Sequence, residues 1–152
     1  MSDNFVTVKI TGMDEIARNL HALGQDIERR IVRKAVQSGI TVMAEEVAAR
    51  TPTDTGLLKQ SLVTTVQVDK EGAAAIGAVG FGWQSHIARF LEFGHRIVGH
   101  KPHKKDTGKH VPANPFMRIA FDSGKQKAVD AFVETMREEI EKSASKSSKR
   151  AA

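Results

Sequence analysis

At the start of the chain apolar and polar residues alternate, with Val6, Val8 and Ile10 separated by Thr7 and Lys9. That is the period of a half-buried strand. The period then lengthens. Thr11 with Asp14 resembles a capping box, and Met13, Ile16, Ala17, Leu20 and Leu23 recur at helical spacing up to Gly24, which predicts a short amphipathic helix. A longer helix is predicted from about Asp26 to Arg50. Ile27, Ile31, Ala35, Val42 and Val47 lie on its apolar stripe, widened by Val32, Val36 and Met43, and Pro52 disfavours helical geometry at Thr51.

The next segment, Pro52 to Gly56, is polar and turn-forming, since Asp54 can bond nearby amides and Gly56 tolerates positive φ. Alternation returns at Leu62, Thr64, Val66 and Val68, and after a turn near Lys70 to Gly72 a second run extends from Ala73 to Phe81. The pattern predicts a β-hairpin. Its second arm, with Gly77, Gly80 and Gly82 nearby, carries little side-chain volume, so another backbone, such as that of a second subunit, can approach it closely.

Ser85 is placed to cap a short helix through Phe93, with Ile87, Phe90 and Leu91 on one face and Gly94 closing it. His95 to His110 reads as an irregular loop. Asn114 and Pro115 then suit the start of a last helix whose apolar face opens with Phe116, Ile119 and Ala120. Asp122-Ser123-Gly124 is a possible interruption, after which Val129, Phe132, Val133, Met136 and Ile140 restore the helical period to about Lys142. The Ser-, Lys- and Ala-rich residues 143–152 offer too little apolar surface to offset ordering entropy. The expected fold class is therefore α+β. A small antiparallel sheet, made of the N-terminal strand plus the hairpin, packs against a long helix and a C-terminal helix in one domain over 1–142, followed by a basic flexible tail.

With 152 residues the chain has a single domain's worth of core, small enough for a partner or oligomer to add stability. No cysteine is present, which removes disulfide and thiolate chemistry. Met1-Ser2-Asp3-Asn4 is not a basic segment leading into an apolar run, and no apolar stretch reaches membrane-spanning length, so a soluble protein is expected. The net charge of +5 is unevenly placed. Between His95 and His110 five Lys/Arg (Arg96, Lys101, Lys104, Lys105 and Lys109) face one acid, and Lys142 to Arg150 holds four Lys/Arg and no acid. Such an excess can contact nucleic acid or simply be solvated.

Candidate chemistry is sparse. His95, His100, His103 and His110 with Asp106 contain possible zinc-ligand atoms, but their spacing is unspecific and the neighbouring lysines oppose a cation. No metal or cofactor is expected. Glu92, between Phe90 and Phe93, has the chemistry of a general base, but no nucleophile or second tuned carboxylate accompanies it. A structural pairing with Arg89, Arg96 or Arg118 is the favoured reading. There is no Gly-x-Ser-x-Gly elbow, phosphate-cradling loop or His-Glu-x-x-His helix, so no enzyme activity is expected. With no Tyr and most of the seven Phe at core-like positions, the stacking pattern of single-strand binders is missing. Trp83 is read as a half-buried anchor at a fold or subunit contact.

Three blocks stand out in order: Pro52, Thr55, Gly56 and Leu58; Phe90, Glu92, Phe93 and Gly94; and Pro115, Phe116, Met117 and Arg118. In this arrangement the chain resembles the neck and tail-completion family of tailed bacteriophages, related to minor tail protein Z, over about Val6 to Ile140. It departs from the family pattern at His95, where Thr is common, and in the long basic segment that follows. The resemblance implies a structural virion component at the head-tail junction, assembled in the host cytoplasm. It also implies a homo-oligomeric ring, a hexamer favoured, that contacts neck, head-closure and tail-tube proteins and leaves a channel for the genome. The alternative is a basic, nonspecific nucleic-acid-binding module; a small hydrolase or nuclease using Glu92 and the histidines is a more distant third.

Overall fold

A computed structural model describes residues 6–8, 25–69, 74–99 and 106–150. The helix expected before Gly24 and the turn near Lys70 to Gly72 lie outside these residues. The elements are β1 (Val6–Val8), α1 (Gln25–Arg50), α2 (Leu57–Gln60), β2 (Leu62–Val68), β3 (Ala75–Phe81), α3 (Ser85–Phe93), β4 (His95–Val98), β5 (Asp106–Val111) and α4 (Phe116–Arg150). The class is α+β, with the antiparallel sheet and the two long helices that the apolar pattern implies.

The first sheet has the order β1-β3-β2, with Val6 opposite Val79 and Leu62 opposite Phe81. Within β3, Gly77, Val79 and Phe81 share one buried side, whereas Ile76 points to solvent. The period of two in side-chain direction makes this the only way to bury the larger residues together. Above that side runs α1. A methyl group added at Gly77 would collide with the side chain of Ile40 and lie 3.0 Å from Val36 Cγ1. The close neighbour of the glycine-rich arm is therefore the chain's own helix, where a second subunit had been considered.

The other side of α1 packs antiparallel against α4. A methyl at Gly39 would sit 2.8 Å from the Ala128 carbonyl oxygen, and one at Gly124 would sit 2.9 Å from Glu46 Cγ. Ile31, Met43, Val47, Ala120, Phe132 and Met136 are buried in the same core. Flanked by helix on one side and sheet on the other, α1 needs apolar residues over a wide arc. It terminates where Thr51 bonds back to the Val47 carbonyl through both its N–H (2.9 Å) and its hydroxyl (2.7 Å). Phe81 and Phe116, in edge-to-face contact at 5.8 Å, join the sheet to α4.

Three expectations are corrected. Asp122-Ser123-Gly124 does not interrupt α4, and Gly124 sits where the Glu46 side chain of α1 packs close against it. The propensity cost of one helical glycine, about 1 kcal/mol, is offset by that packing. The helix also continues to Arg150 instead of ending near Lys142. Finally, the segment His95 to His110 is not irregular throughout: β4 and β5 form an antiparallel ribbon, with His95 opposite Val111, Arg96 opposite His110 and an irregularity between Arg96 and Val98. Backbone pairing holds this ribbon, so its side chains need show no apolar period.

Candidate functional site

Helix α3 is nine residues long and follows a turn in which Ser85 N–H bonds the Gly82 carbonyl (3.0 Å). Ser85 is the first helical residue, so Gln84, not Ser85, occupies the cap position, and its side chain makes no capping bond. The expected apolar face is also rotated. Ala88 and Glu92, four apart, are the buried residues; Leu91 is half-buried; and Ile87, Phe90 and Phe93 are exposed, Phe93 to 57%.

The burial of Glu92, only 8% exposed, has a direct explanation. Its Oε2 accepts the Met117 N–H at 2.9 Å and its Oε1 accepts the Arg118 N–H at 3.2 Å. The first turn of α4 has amides without intrahelical acceptors and carries the positive end of the helix dipole, so a carboxylate there satisfies donors and charge together. The expected Arg side-chain partner is replaced by backbone: Arg89 and Arg118 are exposed. Beside it, Asn114 N–H donates to the Leu91 carbonyl (2.7 Å), a second bond between the end of α3 and the entry to α4.

Gly94 turns the chain from α3 into β4 with φ 71°. A methyl there would be 2.9 Å from the Ala113 amide nitrogen and close to the Val111 carbonyl oxygen, so both conformation and space require glycine. Gly56, with φ 78°, precedes α2 but faces open space. From that turn Leu58 enters the core, and Leu57 remains 42% exposed.

The loop from Pro52 to Leu58 and the Gln84, Ile87 and Leu91 side chains enclose an open, mainly apolar cleft of about 420 Å³. Among the described residues Asp54 is its one charged wall residue. Two of its wall residues, Leu57 and Ile87, are exposed, and Trp83, next in the chain to the wall residue Gln84, is 60% exposed, so the half-buried anchor expected there is not supplied by the subunit's own fold. The first motif block thus faces, across a cleft, the helix that carries the second, and the second meets the third through Glu92. This convergence leaves large apolar side chains in water beside a concavity, the physical mark of a contact surface.

On the far side of α3, Phe90 stacks against His95 at 4.9 Å, with His86 edge-on to Phe90 at 6.4 Å. Arg96 and Lys109 are exposed on the ribbon, whereas Lys101, Lys104, Lys105, His100 and His103 fall outside the described residues. Among the described residues no cluster of three or more His, Asp or Glu is arranged to hold a metal ion. The residues that the sequence pattern did not reveal are Gln84 and Ile87 as cleft walls and Glu46 as a polar clamp. Glu46 takes Lys127 Nζ from α4 at 2.7 Å and also pairs with Arg50. These hydrogen bonds, Lys127 first, hold the Glu46 carboxyl below the usual carboxylate range.

Comparison with family models adds the deciding observation, because the model described as "Bacteriophage HK97-gp10, putative tail-component" matches residues 14–94. The chain belongs to the HK97-gp10-like family. The matched span includes the Pro52 to Leu58 loop and all of α3 to Gly94, both walls of the cleft. Membership makes this protein a bacteriophage tail component with a structural role in the virion. No curated protein and no solved structure matched. Among the described residues no helix is long and apolar enough to cross a membrane.

Proposed function

We propose that this HK97-gp10-like protein completes the neck of the phage, forming a ring between the head-closure complex and the tail and leaving a channel for the genome. The observation that carries this reading is the apolar cleft between the Pro52 to Leu58 loop and α3, with its wall residues Leu57 and Ile87 exposed and further apolar surface exposed at Trp83 and Phe90. Such a surface suits protein contact better than catalysis or base recognition. Distinct patches on one small subunit can meet head-to-tail and close into a ring, and a hexamer is the favoured stoichiometry.

The decisive experiment is complementation. Lysates of a phage lacking this protein should contain filled heads and free tails, and purified protein should join them into infectious particles. Mass measurement of the purified protein, alone and with its head-closure and tail-tube neighbours, should show a ring or a defined complex. A strict monomer that ignores all of these neighbours and restores no joining would overturn the reading. The alternative, a basic nonspecific nucleic-acid-binding module, draws on the exposed Arg96 and Lys109. It predicts salt-sensitive DNA binding by the free subunit and no role in joining.

A further inference from the structure

The cleft and the β4-β5 ribbon have complementary surfaces. Ile97 and Val98 are consecutive exposed apolar residues on β4, Val98 to 60%. In a regular strand two such neighbours point to opposite faces, but the pairing irregularity between Arg96 and Val98 alters that alternation. Thr107 Oγ1 donates to the Ile97 carbonyl and anchors the ribbon there. Lys109, exposed on β5, neighbours His110, the strand partner of Arg96. The cleft offers the converse: walls of Pro52, Leu57, Leu58, Ile87 and Leu91, with Asp54 as the one charge among the described wall residues.

We infer that the occupant of the cleft is a second copy of this chain, whose ribbon places Ile97 and Val98 between the Pro52 to Leu58 loop and α3 while its Lys109 faces Asp54. The contact joins two different patches, so each subunit donates a ribbon to one neighbour and accepts one from the other. That is the heterologous arrangement a closed ring requires. Apolar insertion would supply most of the affinity, and the charges would set orientation and encounter rate. The inference rests on the ring reading and names the surfaces that make it.

The absence of cysteine makes the test direct. One preparation carries Leu57→Cys, a second carries Val98→Cys, and the two are mixed under mild oxidation. The expected result is a disulfide-linked dimer in the mixture that neither preparation gives alone. A control mixture of Val98→Cys with Lys125→Cys, exposed on α4, should give little. In wild-type background, Val98→Asp should weaken self-association on the order of tenfold or more and leave the thermal midpoint of the subunit unchanged, since the side chain is already in solvent. No more cross-linking in the test mixture than in the control, or self-association untouched by Val98→Asp, overturns this contact. Those results leave the ring reading standing if heads and tails are still joined. Failure of joining sinks that reading separately.

Discussion

The Glu92 carboxylate accepts the backbone N–H of Met117 at 2.9 Å, across 25 positions of sequence, and so fastens the last helix to the short one. A helix is usually capped by the residue just before it; here the cap is supplied by another helix. The orientation of α3, and with it the shape of the cleft, therefore depends on the start of α4.

Glu92→Ala should destabilise the subunit by about 1–3 kcal/mol, the cost of leaving buried amides without an acceptor. Glu92→Gln should cost less, because one oxygen remains to accept a bond while the amide group loses the other. Urea denaturation of the variants measures both. Equal stability of wild type and the alanine variant would show that water replaces the carboxylate without loss.

Gly56 and Gly94 should respond differently to substitution. Both have positive φ, which costs a non-glycine residue about 1–2 kcal/mol. At Gly56 a methyl group meets nothing within 4 Å, so Gly56→Ala should lose only that amount. At Gly94 the methyl also meets backbone of Val111 and Ala113, which cannot rotate aside. Gly94→Ala should therefore be the more harmful, with displaced β4-β5 amide resonances in solution spectra. Identical melting curves for the two variants would contradict this.

Gly39→Ala should force α1 from α4, because the added methyl would face the Ala128 carbonyl at 2.8 Å. A loss of about 1–3 kcal/mol is expected from overpacking, although alanine is the better helix former. Calorimetry decides the sign. A stabilised variant would mean that the helices have room to separate.

Acid should weaken the clamp between these helices. Bonds from Lys127 and Arg50 hold the Glu46 carboxyl below its ordinary value, and a bond from Lys34 does the same for Glu139. A carboxylate depressed in the folded state contributes stability above its unfolded pKa of about 4.3, and that contribution fades as pH falls through the lower folded value. Glu46→Gln should accordingly be less stable than wild type at neutral pH, with the difference shrinking below about pH 4. Thermal midpoints measured from neutral to acid pH test this, and a constant gap would show that Glu46 acts by packing alone.

Helix α1 was legible because Ile31, Ala35, Met43 and Val47 repeat at a period the backbone itself imposes, and Pro52 marks its limit. The β2-β3 hairpin was legible for the same reason, through alternation from Leu62 to Val68. Periodicity reports what a segment buries but not which partner covers it. Hence Ile87 and Phe90 of α3 were expected inside, yet Ala88 and Glu92 took that place. The ribbon after Gly94 carries no side-chain period at all, since its pairing is through main-chain groups.

By itself, the sequence determined the α+β class, the long helices, the hairpin and the motif blocks that point to the phage tail, because local propensity and burial period are written residue by residue. Only the tertiary structure decided that Glu92 caps α4, that Gly39, Gly77 and Gly124 lie at close approaches, and that Pro52 to Leu58 faces Ile87 and Leu91 across a cleft. Each of these depends on residues distant in the chain whose relative positions follow from how α1 is wedged between sheet and helix. No local pattern encodes that distance.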